Sequence, residues 1–405
     1  MSLSFSRLTA NGSEPRKANR VFWRQPPRLS LMPGAPRATQ VERVPVAVIG
    51  GGQSGLAMSY HLMRRGVDHV VLEARDRIGA SWRNRWDSLG LITPARYDGL
   101  PGMPFPAGAM SFPTKDEMAA YLETYAAHFE LPVRLSSLVT GLARGADSFR
   151  LRLGDSSVEA QQVVIATGPY QKTRVPAYTS ELDPAIVQLN AGEYRNPKQL
   201  KPGPVLVVGA GNSGAEISIE AARAGHRTLL AGPDTGHVPR AAFAFQGRIF
   251  WFLVNNVMSV NTPIGRKAMP RVIAHGRPLG LLSMNDVIAA GVVRVPRVCG
   301  VRDGSPLLED GEVSDVRNIV WCTGFVQDYS WIEMPVLDAR GLPRHDRGVV
   351  PGMPGLYFIG LPFLSKLASA FIGGVGDDAR HLAGQIASAA SVPSGRTALG
   401  ASRGA

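Results

Sequence analysis

Two stretches of the chain share one order of apolar and polar positions. In the first, the apolar run 44–49 precedes a glycine-rich turn, an apolar-periodic stretch over 56–65, and a second apolar run over 67–72. Short continuous apolar runs rich in Val are typical of buried parallel strands, whereas the longer periodic stretch predicts a helix that ends at Gly66. The pattern therefore predicts a strand–turn–helix–strand unit.

The second stretch, "PVLVVGAGNSGAEISIEAARAGHRTLLAG", repeats that order. Residues 206–208 form the core of the first predicted strand, 215–224 the helix, and 227–231 the next strand, with Gly225 at the helix end. The chain is therefore predicted to contain two copies of one α/β unit.

Each copy places three glycines at the same spacing in its turn. They are Gly50, Gly52 and Gly55 in the first copy, and Gly209, Gly211 and Gly214 in the second. Glycine is 45 of 405 residues, so one such match is weak evidence by itself. In a dinucleotide site the first glycine makes the tight turn, the second lets the backbone approach a pyrophosphate, and the third lets helix and strand pack closely. Two matches in the same context predict two dinucleotide sites.

The copies differ at the end of their second strand. The first ends on Glu73, at roughly the 20-residue distance at which an acid meets a ribose hydroxyl. The second continues as "AGPDTG", with no acid directly at the strand end, and an acid there would repel an adenosine 2′-phosphate. We therefore expect FAD in the first copy and NAD(P) in the second, where Arg240 just downstream is expected to help bind the 2′-phosphate of NADPH. Because Asp234 lies close by and could accept a ribose hydroxyl, NADH remains possible.

Two further apolar runs, "QVVIATG" and "NIVWCTG", end on Thr-Gly and mark expected crossings between domains, at Thr167-Gly168 and Thr323-Gly324. The predicted fold class is α/β, with two Rossmann-like dinucleotide-binding domains and the NAD(P) domain inserted into the FAD domain. The predicted order is a disordered basic arm (1–41), the first FAD part (42–170), the NAD(P) domain (171–317) with an apolar insert (237–285), the second FAD part (318–390) and a flexible tail (391–405).

Charge and cysteine content exclude several classes of function. The net charge is +12, but much of the excess lies in the Ser-, Pro- and Arg-rich arm, so the body argues little for nucleic acid. No run reaches the roughly 18 apolar residues of a transmembrane helix. Two cysteines, Cys299 and Cys322, form no C-x-x-C motif, and the eight histidines show no metal-ligand spacing. We therefore expect a cytoplasmic protein without a metal; its oligomeric state is not predicted.

The chain resembles the class B flavin-dependent monooxygenases, which include the flavin-containing and plant indole-3-pyruvate monooxygenases and a bacterial branch. The motifs that carry the resemblance are "GGGQSG", "LEARDRIGASWR", "LPGMPFP", "ATG", "GAGNSGAE" and "CTGF". Together the motifs and the resemblance assign to FAD the residues Gly50, Gly52, Gln53, Ser54, Gly55, Glu73, Trp82, Arg83, Thr93, Thr167 and Gly168. They assign to the nicotinamide dinucleotide Gly209, Gly211, Asn212, Ser213, Gly214 and Arg240.

The resemblance implies an enzyme that inserts one oxygen atom from O2 into a small organic substrate through a flavin peroxide. Many relatives carry F-x-G-x-x-x-H-x-x-x-Y between the nucleotide motifs. Here the matching stretch is "PAIVQLNAGEY", with Asn190 in place of His and only Tyr194 retained. No catalytic residue is assigned firmly, and Asn190 and Thr93 are the candidates. The alternatives are an NAD(P)H-dependent reductase or oxidase without oxygen insertion, and a non-catalytic redox-sensing flavoprotein.

Overall fold

The computed structural model of the protein describes residues 41–275, 278–312 and 316–390. The predicted arm, apart from Val41, and the predicted tail lie outside these residues. The strands are β1 Glu42–Ile49, β2 His69–Leu72, β3 Val133–Arg134, β4 Gly141–Arg144, β5 Phe149–Leu153, β6 Ser156–Ile165, β7 Lys172–Thr173, β8 Val187–Asn190, β9 Val205–Val208, β10 Thr228–Ala231, β11 Val293–Val295, β12 Val298–Arg302, β13 Ser305–Leu308, β14 Gly311–Glu312, β15 Asn318–Trp321, β16 Phe325–Val326 and β17 Leu356–Phe358. The α-helices are α1 Gln53–Met63, α2 Ala80–Arg83, α3 Lys115–His128, α4 Asn212–Arg223, α5 Arg248–Phe252, α6 Pro263–His275, α7 Met284–Ala289 and α8 Val375–Ala390.

The first sheet is built around β1, whose last four residues are completely or almost completely buried. In the described part of the chain its order is β3-β2-β1-β6-β5-β4, with β17 also paired to β6. β1, β2, β3, β6 and β17 run parallel, and β4 and β5 continue from β6 as an antiparallel meander. Helix α1 packs against α8 beside this sheet. The first predicted α/β unit is therefore present.

The second sheet is entirely parallel, in the order β11-β10-β9-β15-β8. It contains the second predicted unit, β9, α4 and β10. Two sheets of this kind, each with its own glycine turn, confirm the predicted α/β class with two Rossmann-like folds. Smaller antiparallel pairings join β12, β13 and β14, and join β7 to β16.

One predicted boundary is wrong. The sequence assigned 318–390 to the FAD part, but β15 pairs with β8 and β9 in the second sheet. The chain therefore leaves the second sheet only after Trp321, at the Thr323-Gly324 step. An apolar strand reads the same in either sheet, so only its pairing partners decide to which domain it belongs.

Helix ends also shift from their predicted positions. Helices α1 and α4 begin at Gln53 and Asn212, three residues before the predicted starts, and the C-terminal helix α8 begins at Val375 after two short 3-10 turns. A Cβ at Gly374 would overlap the Ala368 carbonyl oxygen, so the chain makes a tight turn there before the helix begins. None of the described helices combines the length and hydropathy needed to cross a membrane.

The packing of α1 on β1 leads to a prediction. A methyl group at Gly55 would overlap the carbonyl oxygen of Gly50, whereas no described atom lies within 4 Å of a methyl group at Gly52. We expect Gly55→Ala to lower the free energy of unfolding by about 3 kcal/mol, because the backbone must move. Gly52→Ala should lower it by less than about 1 kcal/mol. Urea unfolding of the flavin-stripped proteins measures both, and equal stability of the two variants would contradict this account of the packing.

Candidate functional site

The first glycine turn joins β1 to α1. Gly50 adopts φ +108°, and a Cβ there would lie 2.7 Å from the Ala166 carbonyl oxygen, so this position requires glycine. Gly55 presses against the Gly50 carbonyl. Gly52, by contrast, has φ −77° and ψ −173°, which any residue adopts, and no described atom lies within 4 Å of its Cβ position. The first and third glycines are thus required by the packing of the chain, and the second faces open space.

The second glycine turn repeats this geometry. Gly209 adopts φ +107°, and its Cβ would overlap the Cys322 carbonyl; Gly214 presses against Gly209. Gly211 has φ −77° and ψ −172°, with no described atom within 4 Å of its Cβ position. In both turns, the packing of the chain itself does not require glycine at the middle position. A pyrophosphate that approaches the backbone there would require it, because a side chain would stand in the way.

The two helices that follow the turns begin without a side-chain cap. Gly52 at the start of α1 and Gly211 at the start of α4 have no side chain that could accept a hydrogen bond from the first-turn amides. Helix α3, by comparison, begins at Thr114 with a complete capping box. Uncapped N-termini present unpaired N–H groups and a partial positive charge, so both turns fit the pyrophosphate of a dinucleotide.

Glu73 follows directly on β2, at the side of the first glycine turn. Its Oε2 accepts the Gly51 amide at 2.6 Å, and its Oε1 accepts the Arg75 amide at 2.9 Å. These bonds fix the carboxylate beside the turn. Each oxygen keeps a second lone pair, so the group can still accept a ribose hydroxyl.

The other predicted flavin residues of the first unit are partly used within the chain. Trp82 Nε1 donates to Gln53 Oε1 at 3.4 Å, and Arg83 donates to Glu123 at 2.8 Å. Arg83 Nε is buried, with no partner among the described residues. Ser54 is buried beneath Gly360, where a Cβ would overlap its hydroxyl oxygen. Ser54 therefore packs α1 against the segment after β17.

At Thr167-Gly168, where the chain leaves the first sheet, one glutamine side chain forms three hydrogen bonds. Gln171 Nε2 donates to both Thr167 Oγ1 and the Gly168 carbonyl, at 2.9 Å each, and Gln171 Oε1 accepts the Asp328 amide. Thr167 and Gly168 thus lie where the outgoing chain meets the returning chain.

Thr93 has a partner that sequence reasoning missed. Its hydroxyl donates to Asp98 Oδ1 at 2.5 Å, and both residues are buried. Asp98 Oδ2 is also buried, with no partner among the described residues. Burial raises the pKa of Asp98 to about 7, against the smaller lowering effect of the Thr93 hydrogen bond. The loop therefore contains a carboxyl group that can exchange a proton near neutral pH.

The apolar insert packs over this same loop. The Tyr97 and Trp251 rings stack with centroids 4.7 Å apart, and Tyr97 Oη donates to the Gln246 carbonyl. On its other side the insert pairs with the chain near Lys366, through the bridge between Ser259 and Lys366. The insert thus joins the Asp98 loop to the segment before α8.

Asn190 lies at the carboxyl end of β8, paired with Trp321. Its Oδ1 accepts the Gly192 amide at 2.9 Å, so its side chain closes a local turn. Tyr194 is fully buried and donates to Glu220 Oε2 at 3.0 Å. Both side chains therefore have hydrogen-bond partners within the second unit.

Three further residues were predicted to bind the nicotinamide dinucleotide: Asn212, Ser213 and Arg240. Asn212 Oδ1 accepts the Gly280 amide at 2.9 Å, which fixes the loop before α7 next to the second glycine turn. Ser213 is half-buried in the first turn of α4. Arg240 begins the 3-10 turn Arg240–Phe243, and its side chain lies outside the described part of the structure.

Comparison with known proteins identifies the relatives of this architecture. The family model of the pyridine nucleotide-disulphide oxidoreductases matches residues 47–241. A CzcO-like oxidoreductase of Geobacillus kaustophilus is 39% identical over 346 residues, which are 85% of this chain and 98% of the relative. Indole-3-pyruvate monooxygenase YUCCA1 of Oryza sativa is 39% identical over 206 residues, 49% of this chain and 51% of that protein.

Among solved structures, the flavin-containing monooxygenase from Stenotrophomonas maltophilia matches with a TM-score of 0.70 and 26% identity, over 87% of this chain and all of that one. These comparisons place the chain among the flavin-dependent oxidoreductases. The chain belongs to the class B flavin-dependent monooxygenase family.

The description of the matched family names disulphide chemistry, so the environment of the two cysteines is relevant. Cys322 is buried, and burial raises the pKa of its thiol to about 12, so it forms little thiolate. Cys299 is exposed on β12. The sequence contains no closely spaced cysteine pair.

The Asp98 carboxyl leads to a prediction about stability. Its folded pKa of about 7 lies above the ordinary value near 3.9, so its contribution to the free energy of unfolding falls as pH rises from about 4 to about 7. Asp98→Asn removes the buried charge and keeps an oxygen that accepts from Thr93. We expect its melting temperature to exceed that of the parent at pH 8, with little difference at pH 5.

Thermal unfolding of the flavin-loaded proteins at both pH values measures this effect. Asp155→Asn, at an exposed turn position, is the charge-matched control and should change neither melting temperature. An Asp98→Asn protein that is equally destabilised at pH 5 and pH 8 would show that the buried charge carries no penalty.

Proposed function

We propose that the chain is an FAD- and NADPH-dependent monooxygenase that inserts one oxygen atom of O2 into a small organic substrate. The observation that carries this proposal is the pair of matching glycine turns, each with an open middle glycine and an uncapped helix. FAD, when bound, supplies the hydride acceptor and the oxygen chemistry, and the protein binds, orients and shields it. The family membership supports the reaction class.

In this proposal the first unit holds the flavin. The amides at the start of α1 bind the pyrophosphate, Gly52 gives the close approach, and Glu73, oriented by two backbone amides, accepts the ribose hydroxyls. Thr93 and Asp98 lie in the loop that the family resemblance brings to the flavin ring. Because Asp98 Oδ2 is buried and unpartnered, it can hold a proton beside that ring and exchange it near neutral pH.

The insert would exclude water from the reaction. Its stacked contact with Tyr97 and its backbone pairing at Lys366 attach it to the Asp98 loop and to the segment before α8. Oxygen transfer competes with loss of hydrogen peroxide, which water promotes, so a covered site favours insertion. The aromatic rings of Phe243, Phe250 and Phe371 follow one another with centroids 5.1 and 6.5 Å apart. These rings pack on one another; the proposed substrate has an apolar or aromatic part and carries a nucleophilic nitrogen or sulfur, or a carbonyl as in a 2-oxo acid.

The competing function is an NADPH oxidase without oxygen insertion. The residue in place of the family histidine, Asn190, uses its side-chain oxygen within its own turn, which supports this second candidate. The two functions differ only in where the oxygen goes.

A matched pair of variants tests the cofactor sites. Gly52→Val and Gly211→Val each place a branched side chain at an open position whose backbone accepts it. We expect Gly52→Val to be purified without flavin absorbance. Gly211→Val should keep its flavin and be bleached by dithionite but not by NADPH. A folded Gly52→Val protein with full flavin, or loss of flavin in Gly211→Val, would refute the assignment of separate sites.

Isotopic oxygen tests the reaction. The flavin-loaded protein is supplied with NADPH, labelled O2 and a panel that includes an aromatic 2-oxo acid, a thioether, an amine and a ketone. We expect one member to accelerate NADPH oxidation, to gain one labelled atom and to lower the peroxide yield. NADPH consumption matched by peroxide for every compound would instead establish the oxidase. No consumption with any compound would favour a redox-sensing protein.

A further inference from the structure

The two dinucleotide units differ at one equivalent position. In the first, Leu72 pairs with Ile49, and Glu73 follows at the strand end. In the second, Ala231 pairs with Val208, so Gly232 occupies the place of Glu73. The second unit therefore offers no side chain of its own strand where the first presents a carboxylate to the ribose.

An arginine reaches this position from the neighbouring strand. Arg294 pairs with Leu230 across β10 and β11, and its guanidinium donates to the Gly232 carbonyl. The equivalent residue of the first unit is Val133, which pairs with Val71 and packs against the hydrophobic core. The unit that lacks the acid thus has a cation where the unit with the acid has an apolar side chain.

The hydrogen-bonding capacity of this arginine is incompletely used. Arg294 Nε is buried and has no partner among the described residues, and no described carboxylate forms an ion pair with its guanidinium. Thr235 Oγ1, three residues beyond Gly232 in the same turn, is also buried without a partner. A buried N–H and a buried hydroxyl beside one strand end are costly unless a ligand supplies acceptors.

The other charged groups nearby fit this role less well. Asp234 is exposed, and its Oδ1 accepts the Gly236 amide at 2.8 Å, so solvent weakens its repulsion of an anion. Arg227 precedes β10, at the opposite end of the strand, where its carbonyl accepts the Val205 amide. Five residues of extended strand, roughly 16 Å, separate Arg227 from Gly232.

We propose that Arg294, with Thr235, binds the 2′-phosphate of the nicotinamide dinucleotide and sets the preference for NADPH. This inference rests on the proposed function and names the residue that selects its coenzyme. A phosphate monoester is a planar guanidinium's preferred partner, because two N–H groups can bind two oxygens at once. The role predicted for Arg240, whose side chain lies outside the described part of the structure, stays a prediction.

Binding of two adenosine fragments tests the proposal without turnover. The oxidised, flavin-loaded protein is titrated calorimetrically with 2′,5′-ADP and with ADP, which differ only in the 2′-phosphate. We expect the parent to bind 2′,5′-ADP at least tenfold more tightly. Arg294→Ala should weaken 2′,5′-ADP tenfold or more and change ADP by less than twofold. Arg294→Lys keeps the positive charge but loses the two parallel N–H donors of the guanidinium. Its affinity for 2′,5′-ADP should lie between those of the parent and Arg294→Ala.

Arg297→Ala is the charge-matched control, because Arg297 is exposed three residues along the chain. It should change both affinities by less than twofold. Unchanged 2′,5′-ADP binding in Arg294→Ala, equal loss of both fragments, or an equal effect of Arg297→Ala would overturn the proposal. A parent that binds both fragments equally would also overturn it while leaving an NADH-dependent monooxygenase possible. A parent that binds neither would count against the nicotinamide site itself.

Discussion

The close approach of a helix to the end of a strand is the constraint on which both halves of this protein depend. Gly55 presses on the Gly50 carbonyl and Gly214 on the Gly209 carbonyl, and any side chain there would collide with backbone. This contact fixes where α1 and α4 begin and leaves their first amides without an internal partner. The packing that stabilises each unit is therefore the same packing that prepares a site for phosphate.

Several buried side-chain nitrogen and oxygen atoms have no hydrogen-bond partner within the described part of the chain. Among the described residues these atoms include Arg83 Nε, Asp98 Oδ2, Thr235 Oγ1, Arg294 Nε and Asp378 Oδ2. They belong to the "LEARDRIGASWR" motif and the loops that follow it, the turn after β10 with its neighbouring strand, and the first turn of α8. Since an unsatisfied buried group is costly, Arg83, Asp98, Thr235 and Arg294 are candidates to contact the proposed cofactors.

The insert connects the two halves of this arrangement. It leaves the second sheet after β10, stacks Trp251 on Tyr97 of the Asp98 loop, and pairs with the chain at Lys366. Lys366 is itself buried and ion-paired to Asp377 at 2.5 Å, in the first turn of α8. These contacts of the insert are made with the flavin half, whereas Gly280, which also belongs to the insert, donates its amide to Asn212 of the second unit.

The sequence by itself determined the two α/β units, the glycines that make them and the acid at Glu73. These features depend on contacts between residues close along the chain, and local periodicity and spacing record such contacts. It could not assign β15 to the second sheet, since a buried strand reads the same beside any neighbour. Sequence reasoning did not single out Asp98 or Arg294 as site residues. The charge of Arg294 within the otherwise apolar strand Val293–Val295 could have indicated it. Only the tertiary structure decided which strand lies beside β10 and which loop is buried, and adjacency and burial are what turn these side chains into candidate functional groups.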